Sequence, residues 1–341
     1  METADHIVII FVIILLIGIF IVTNPPKQFS EIKETSANKA PELQGIKGYI
    51  NTDGKEIKLA DYVGKKVILI DFWTYTCINC IRTFPYLKQW DDKYRDEGLQ
   101  IIGVHTPEFD FEKVYDNVKN AVAEHGLKYP VVLDNAYATW RAYDNHYWPA
   151  KYLIDKNGKI VYSHFGEGNY DETERKIQEL LADLKNTTVQ ESIVKPTGVE
   201  VVSGSIGTPE LYFGYNFRRA DLGNQPKYML ANGIFDFVIP VDISPNKPYL
   251  EGTWAHNADD FELVSNTGRI LLRYKAKNVN IVAGNNDSST IIVSVDGEKH
   301  KEIMVGEFDL YRVVEGNDYE SHLLELNITG KGFKINTFTF G

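Results

Sequence analysis

The stretch KVILIDFWTYTCINC, Lys66 to Cys80, sets a continuous apolar run directly ahead of the only two cysteines in 341 residues. Lys66 to Trp73 is a continuous, largely β-branched run holding one acid, Asp71, the pattern of a strand buried on both faces of a mainly parallel sheet. Strand-to-helix junctions at the carboxyl edge of such sheets are where sites form, and Cys77 falls at the start of the following helix. Unpaired backbone N–H groups and the helix dipole favour an anion there, hence the thiolate of Cys77. Cys80, one turn later, is placed to attack a mixed disulfide on Cys77. By spacing alone, Cys77 and Cys80 remain open to three uses: a structural staple, half of a metal site, or a redox dithiol.

The flanking sequence extends the α/β pattern. Leu99 to Val104 and Tyr129 to Leu133 read as further strands, and Asp110 to His125 carries Phe111, Val114, Val118, Ala121 and Val122 at helical spacing. Lys151–Asp155 and Lys159–Phe165 read as a hairpin whose Asn157-Gly158 turn supplies positive φ angles. Asp171 to Lys185 is a closing helix, with Asn169 as its expected cap and Glu172 and Glu174 suiting its N-terminal end.

Read together, Ile68 to Cys80 resembles the active-site segment of the thioredoxin superfamily. The resemblance implies a role for each matching residue. Asp71, six residues before Cys77, matches the family's buried acid, a proton shuttle for the resolving thiol. Trp73 matches a tryptophan beside the site, Pro85 the proline of the active-site helix, and Trp148-Pro149 the cis-proline that faces the dithiol and orients an incoming peptide. Catalytic Cys77, Cys80 and Asp71, a Cys77–Cys80 redox-active disulfide, and a substrate groove of Trp148, Pro149 and Trp73 are therefore expected. Within the superfamily the chain is similar to membrane-tethered thiol-disulfide oxidoreductases of the TlpA and ResA type. FWTYTCINC, YWPAKYLID and HFGEGNYDETE resemble still more the soluble C-terminal region of DipZ-type proteins, a thioredoxin-like domain followed by a carbohydrate-binding-module-like sandwich. Those proteins usually carry a multi-helix electron-transfer domain in front, where this chain has a single apolar segment. A separate membrane electron donor is then expected.

Other uses of the dithiol are weaker. No further cysteine is present to complete a zinc site, and His105, His146 and His164 lie at no paired spacing. A staple across so short a loop would gain little chain entropy. Thr74 to Cys77 satisfies the Thr-x-x-Cys spacing of peroxiredoxins, which keeps a thiol peroxidase as an alternative. His105, Glu108, Tyr75 and Trp148 read as rim or packing residues. No metal and no organic cofactor is implied, since no P-loop and no dinucleotide fingerprint occurs in context.

The remaining chain frames this unit. Ile7 to Val22 is apolar except for Gly18 and leads into Pro25-Pro26 without a small-x-small cleavage site, the pattern of an uncleaved membrane anchor over 1–23. Residues 24–44 read as a flexible tether, 45–188 as the thioredoxin-like domain, 189–200 as a linker and 201–341 as an all-β sandwich of jelly-roll type. Seven strands are expected there: Phe235–Val241, Tyr249–His256, Arg269–Ala276, Val279–Ala283, Thr290–Val295, Leu323–Ile328 and Lys334–Phe340. Tyr212, Tyr215, Tyr249 and Trp254 would form a glycan-stacking platform if their rings are exposed, although rings in a sandwich more often pack in the core; a surface glycan-binding protein with an inert disulfide is the non-enzymatic alternative. A net charge of −11 argues against a nucleic-acid partner. The expected function is an extracytoplasmic, membrane-anchored thiol-disulfide oxidoreductase that reduces disulfides in client proteins, cytochrome c apoprotein being one candidate.

Overall fold

The computed structural model describes residues 39–187, 192–197, 205–229 and 231–341. The expected anchor, most of the tether and most of the linker lie outside them. Among the described residues no helix is long and apolar enough to cross a membrane.

The chain first builds a six-stranded mixed sheet. Its strands are β1 (Tyr49–Ile50), β2 (Val67–Trp73), β3 (Leu99–His105), β4 (Val131–Leu133), β5 (Ala150–Ile154) and β6 (Ile160–Phe165), in spatial order β1-β4-β3-β2-β5-β6. β2 sits in the middle, parallel to β3 and antiparallel to β5, and all seven of its residues are buried. The strand's two-residue period divides it between two cores. Val67, Leu69 and Trp73 face helices α1 (Ile78–Tyr94), α2 (Tyr115–Glu124) and α4 (Tyr170–Lys185), while Ile68, Ile70 and Phe72 face the short helix α3 (Ala138–Ala142) and its neighbours. Each such aliphatic or aromatic side chain contributes about 1.5–3 kcal/mol by leaving water.

Four local expectations change. The helix read over Asp110 to His125 breaks into a 3-10 turn at Asp110–Lys113 and α2, because Val114 is extended (φ −75°, ψ 120°) and Phe111 turns away to stack on Phe308. In the β5–β6 hairpin only Gly158 has positive φ (+77°), and Asp155 holds the turn by accepting the N–H groups of Asn157 and Lys159. Asn169 caps α4 with no side-chain bond; it supplies a left-handed backbone (φ 47°) instead. Glu174 is buried and accepts from Trp90, Tyr94 and Val194 rather than serving the helix end in solvent.

The C-terminal part is a large antiparallel sheet with one core. After β7 (Leu211–Tyr212), β8 (Ile234–Phe237) and β9 (Pro248–His256) come β10 (Phe261–Leu263), β11 (Thr267–Lys275), β12 (Asn278–Gly284), β13 (Ser289–Val295), β14 (Glu298–Val305), β15 (Asp309–Glu315), β16 (Ser321–Thr329) and β17 (Lys334–Phe340). These last eight pair first with last: β10 with β17, β11 with β16, β12 with β15, β13 with β14. β9 joins β11 to β10 and links the two halves. All seven expected strands are present within a few residues. Among those not expected, β14 and β15 are the two ends of the strand order, where EKHKEIMV and DLYRVVE bury too few side chains to read as apolar runs.

Trp254 is fully buried, Tyr249 nearly so, and Tyr212 is turned to Glu108, leaving Tyr215 as the most exposed of the four aromatics. Trp254 and Tyr249 thus take the core positions that large rings in an antiparallel β domain more often occupy, and the four rings form no shared exposed platform.

Candidate active site

β2 delivers the site. Its last residue, Trp73, is followed by a four-residue turn, and Cys77 becomes the N-cap of α1, with its carbonyl accepting the N–H groups of Cys80 and Ile81 at 3.0 Å each. Cys77 Sγ accepts the N–H of Cys80 at 3.2 Å. The sulfur therefore takes one of the orphan donors that a helix N-terminus leaves. Cys77 is half-buried and Cys80 fully buried, and both are free thiols. An outer thiol can meet another molecule while the inner one waits behind it.

Asp71 lies directly opposite Lys151 in the β2–β5 register, on the face that carries α1 and Cys80. Both side chains are buried, and neither Asp71 Oδ1 nor Lys151 Nζ has a hydrogen-bond partner. Burial raises the Asp71 carboxyl from 3.8 to about 7, with Lys151 pulling the other way. Burial lowers Lys151, opposed by Asp71 and Cys80. The Cys80 thiol is pushed well up, first by burial and then by Cys77. A carboxyl that changes charge near neutrality thus stands beside a thiol that gives up its proton reluctantly.

The Trp148–Pro149 peptide bond is cis. Pro149 precedes Ala150, which pairs with Phe72, so the loop comes to the same sheet edge as the dithiol. Pro149 is buried and Trp148 partly exposed, its ring 4.3 Å from that of Trp140 and its Nε1 donating to the Thr106 carbonyl at 3.1 Å. Trp73, expected in the groove, is a correction: it is fully buried, edge-on to Phe84 and His105 at 5.2 and 4.9 Å, and forms packing beneath the site. Exposed Tyr147 and Phe165, 5.4 Å apart, flank the cis loop and were not legible as site residues. His105 is buried core rather than rim; burial drives its imidazole down to about 3 and Thr74 hydrogen-bonds it at 3.3 Å.

Sequence reading also passed over Glu112. It is fully buried, with its carboxyl raised by burial, and it accepts the Thr76 hydroxyl at 2.6 Å. Within the helix expected over 110–125 it would have been an ordinary surface acid.

A half-buried thiol at a helix N-terminus with a buried one behind it, a buried acid and a cis-proline alongside define a thioredoxin-like redox site. Residues 35–181 match the Redoxin family and residues 208–341 the Thioredoxin like C-terminal domain. The thiol-disulfide oxidoreductase YkuV of Bacillus subtilis is 31% identical over 145 residues, covering 42% of this chain and 95% of that protein. ResA of Bacillus thuringiensis is 34% identical over 128 residues, covering 38% and 70%. The chain belongs to the thioredoxin-like thiol-disulfide oxidoreductases. Protein DipZ of Mycobacterium tuberculosis is 40% identical over 307 residues, 90% of this chain and 43% of that protein. The chain thus spans less than half the length of its DipZ relatives.

Proposed function

We propose that this oxidoreductase reduces disulfides of client proteins outside the cytoplasm, held to the membrane by the apolar run Ile7 to Val22. The observation that carries the chemistry is the Cys77 sulfur on the Cys80 N–H at 3.2 Å, with Cys80 and Asp71 buried behind it. Cys77 thiolate attacks one sulfur of a client disulfide, forming a mixed disulfide and releasing the other sulfur as a thiolate. Cys80 passes its proton to Asp71 and attacks Cys77 Sγ, which breaks the mixed disulfide, closes the Cys77–Cys80 bond and frees the second client thiol. Two electrons move from the dithiol to the client. A separate dithiol-class donor at the membrane returns them. Trp148, and Pro149 beneath it, shape the groove in which the client strand lies, and Lys151 balances Asp71.

We take the two folded units as residues 45–188 and 201–341. The nested pairing of β10 to β17 supports a jelly-roll sandwich of the carbohydrate-binding-module kind for the second. Cytochrome c apoprotein is one client of the proposed chemistry. The peroxidase reading is less favoured, since the Thr74 hydroxyl engages His105 rather than Cys77.

The test is disulfide reduction by the full chain with insulin as substrate and dithiothreitol as donor. Cys77→Ser is expected to abolish turnover, and Cys80→Ser to accumulate a mixed disulfide. Wild-type turnover by Cys77→Ser would overturn the reading.

A further inference from the structure

Five consecutive residues, Glu108 to Glu112, lie between β3 and α2, and their contacts point in two directions. Four meet the C-terminal domain, one at strand β7 and three at its loops. Glu108 Oε1 accepts the Tyr212 hydroxyl at 2.8 Å, and the Phe109 ring lies 5.4 Å from that of Phe217. The Asp110 N–H donates to Asp259 at 2.9 Å, and Phe111 stacks on Phe308 at 4.7 Å. Glu112 turns inward. Its Oε1 accepts the hydroxyl of Thr76 at 2.6 Å and the Thr76 N–H at 3.4 Å; its Oε2 accepts the N–H groups of Glu108 and Phe109 at 2.5 and 3.0 Å.

Thr76 immediately precedes Cys77, so whatever fixes Thr76 fixes the backbone from which the attacking sulfur hangs. A buried carboxyl is costly unless several donors converge on it. Here four do, from two segments of chain, and the geometry of both segments must follow it. The outer side of the same five residues carries the C-terminal domain.

We propose that Glu112 is a positioning residue for the dithiol: its carboxyl holds Thr76 so that Cys77 Sγ stays on the helix terminus, and the loop it anchors makes the C-terminal domain part of the redox site's scaffold. The inference rests on Cys77 being the attacking thiol. Replacing one carboxylate oxygen by an amide nitrogen sets donor against donor, either at Thr76 or at the N–H groups of Glu108 and Phe109. The loop then relaxes, the sulfur leaves the Cys80 N–H, and the reduced form loses stabilisation.

The test compares Glu112→Gln, Thr76→Val, their double variant and Tyr212→Phe in the full chain, reading iodoacetamide alkylation of Cys77 and the equilibrium with glutathione. Glu112→Gln is expected to slow alkylation about tenfold and to shift the equilibrium up to about tenfold towards the disulfide, about 30 mV more negative. Thr76→Val should move both the same way, and the double variant should be no worse than Glu112→Gln, because both remove one contact. Tyr212→Phe should move both by less, since it reaches Glu112 through Glu108. Thr76→Val removes only a hydroxyl and keeps the test alive should Glu112→Gln fail to fold. Wild-type alkylation and equilibrium in Glu112→Gln and Thr76→Val, or additive effects in the double variant, would overturn the positioning role; wild-type values in Tyr212→Phe would overturn the domain's share in it. Loss of insulin reduction in Cys77→Ser alongside unaffected Glu112→Gln and Thr76→Val separates failure of this inference from failure of the underlying reading.

Discussion

Replacing Asp71 by Asn removes one oxygen's charge and little volume, and it probes stability and chemistry together. The Asp71 carboxyl ionises at about 7 in the fold against 3.8 ordinarily. Between those two pH values the native state keeps a proton that the unfolded chain has lost, so stability falls as pH rises through this window and the loss is complete above about 7. At ~1.4 kcal/mol per pH unit the rise corresponds to about 4 kcal/mol, an upper figure because Lys151 is left without its acid in the variant. Urea unfolding of reduced protein at pH 5 and pH 8 should therefore show Asp71→Asn gaining on wild type as pH rises. The chemistry moves the other way. In wild type the resolving step should accelerate through about pH 7 as Asp71 becomes able to accept a proton, and the variant should lose about 100-fold or more of that rate. Stopped-flow release of a thiol from a preformed mixed disulfide measures it. Identical pH dependence of unfolding in the two proteins, with an unchanged resolving rate, would refute the placing at position 71 of a buried acid that ionises near neutrality and then accepts the proton.

Lys151→Met removes the cation that holds Asp71 down, so the pH midpoint of the resolving step should move above its wild-type value; a midpoint that stays put or falls counts against the pair. Trp148→Ala should raise KM for a protein disulfide while leaving kcat within a few-fold, as expected for a groove residue whose ring stacks on Trp140; equal loss in kcat would point to a chemical role. Gly103→Ala would set a Cβ 2.8 Å from Trp73 Nε1 and 3.2 Å from the Tyr129 and Val131 side chains. Overpacking of this kind should cost about 1–3 kcal/mol in urea unfolding, and a neutral result would mean that the packing under the dithiol gives way easily.

Read alone, the sequence determined the strand, the dithiol and the proline loop. Val67 to Trp73 is apolar over more residues than any surface strand tolerates, Cys77 and Cys80 have no other cysteine to pair with, and Trp148-Pro149 opens β5 at the height where the dithiol ends β2. The strand and the cysteine pair are local signals, carried by periodicity and spacing, so they survive without tertiary information; the proline loop was legible through the family resemblance. The count and spacing of short strands were enough to anticipate an all-β C-terminal domain. Its polar edge strands stayed hidden because an edge buries little.

Tertiary structure alone decided where the charges meet. Asp71 and Lys151 are 80 positions apart and become neighbours only because β2 and β5 are antiparallel in one register. Glu112 carries no signal in the sequence; the extended Val114 leaves it outside the helix, and the fold turns its carboxyl onto Thr76. Trp73 packs beneath the site and Trp254 and Tyr249 inside the C-terminal domain for one reason: large rings go where packing can cover them, and a linear pattern does not tell which positions the assembled sheets will cover. Burial and long-range pairing are properties of the assembled sheets, and the reactivity of this site follows from them.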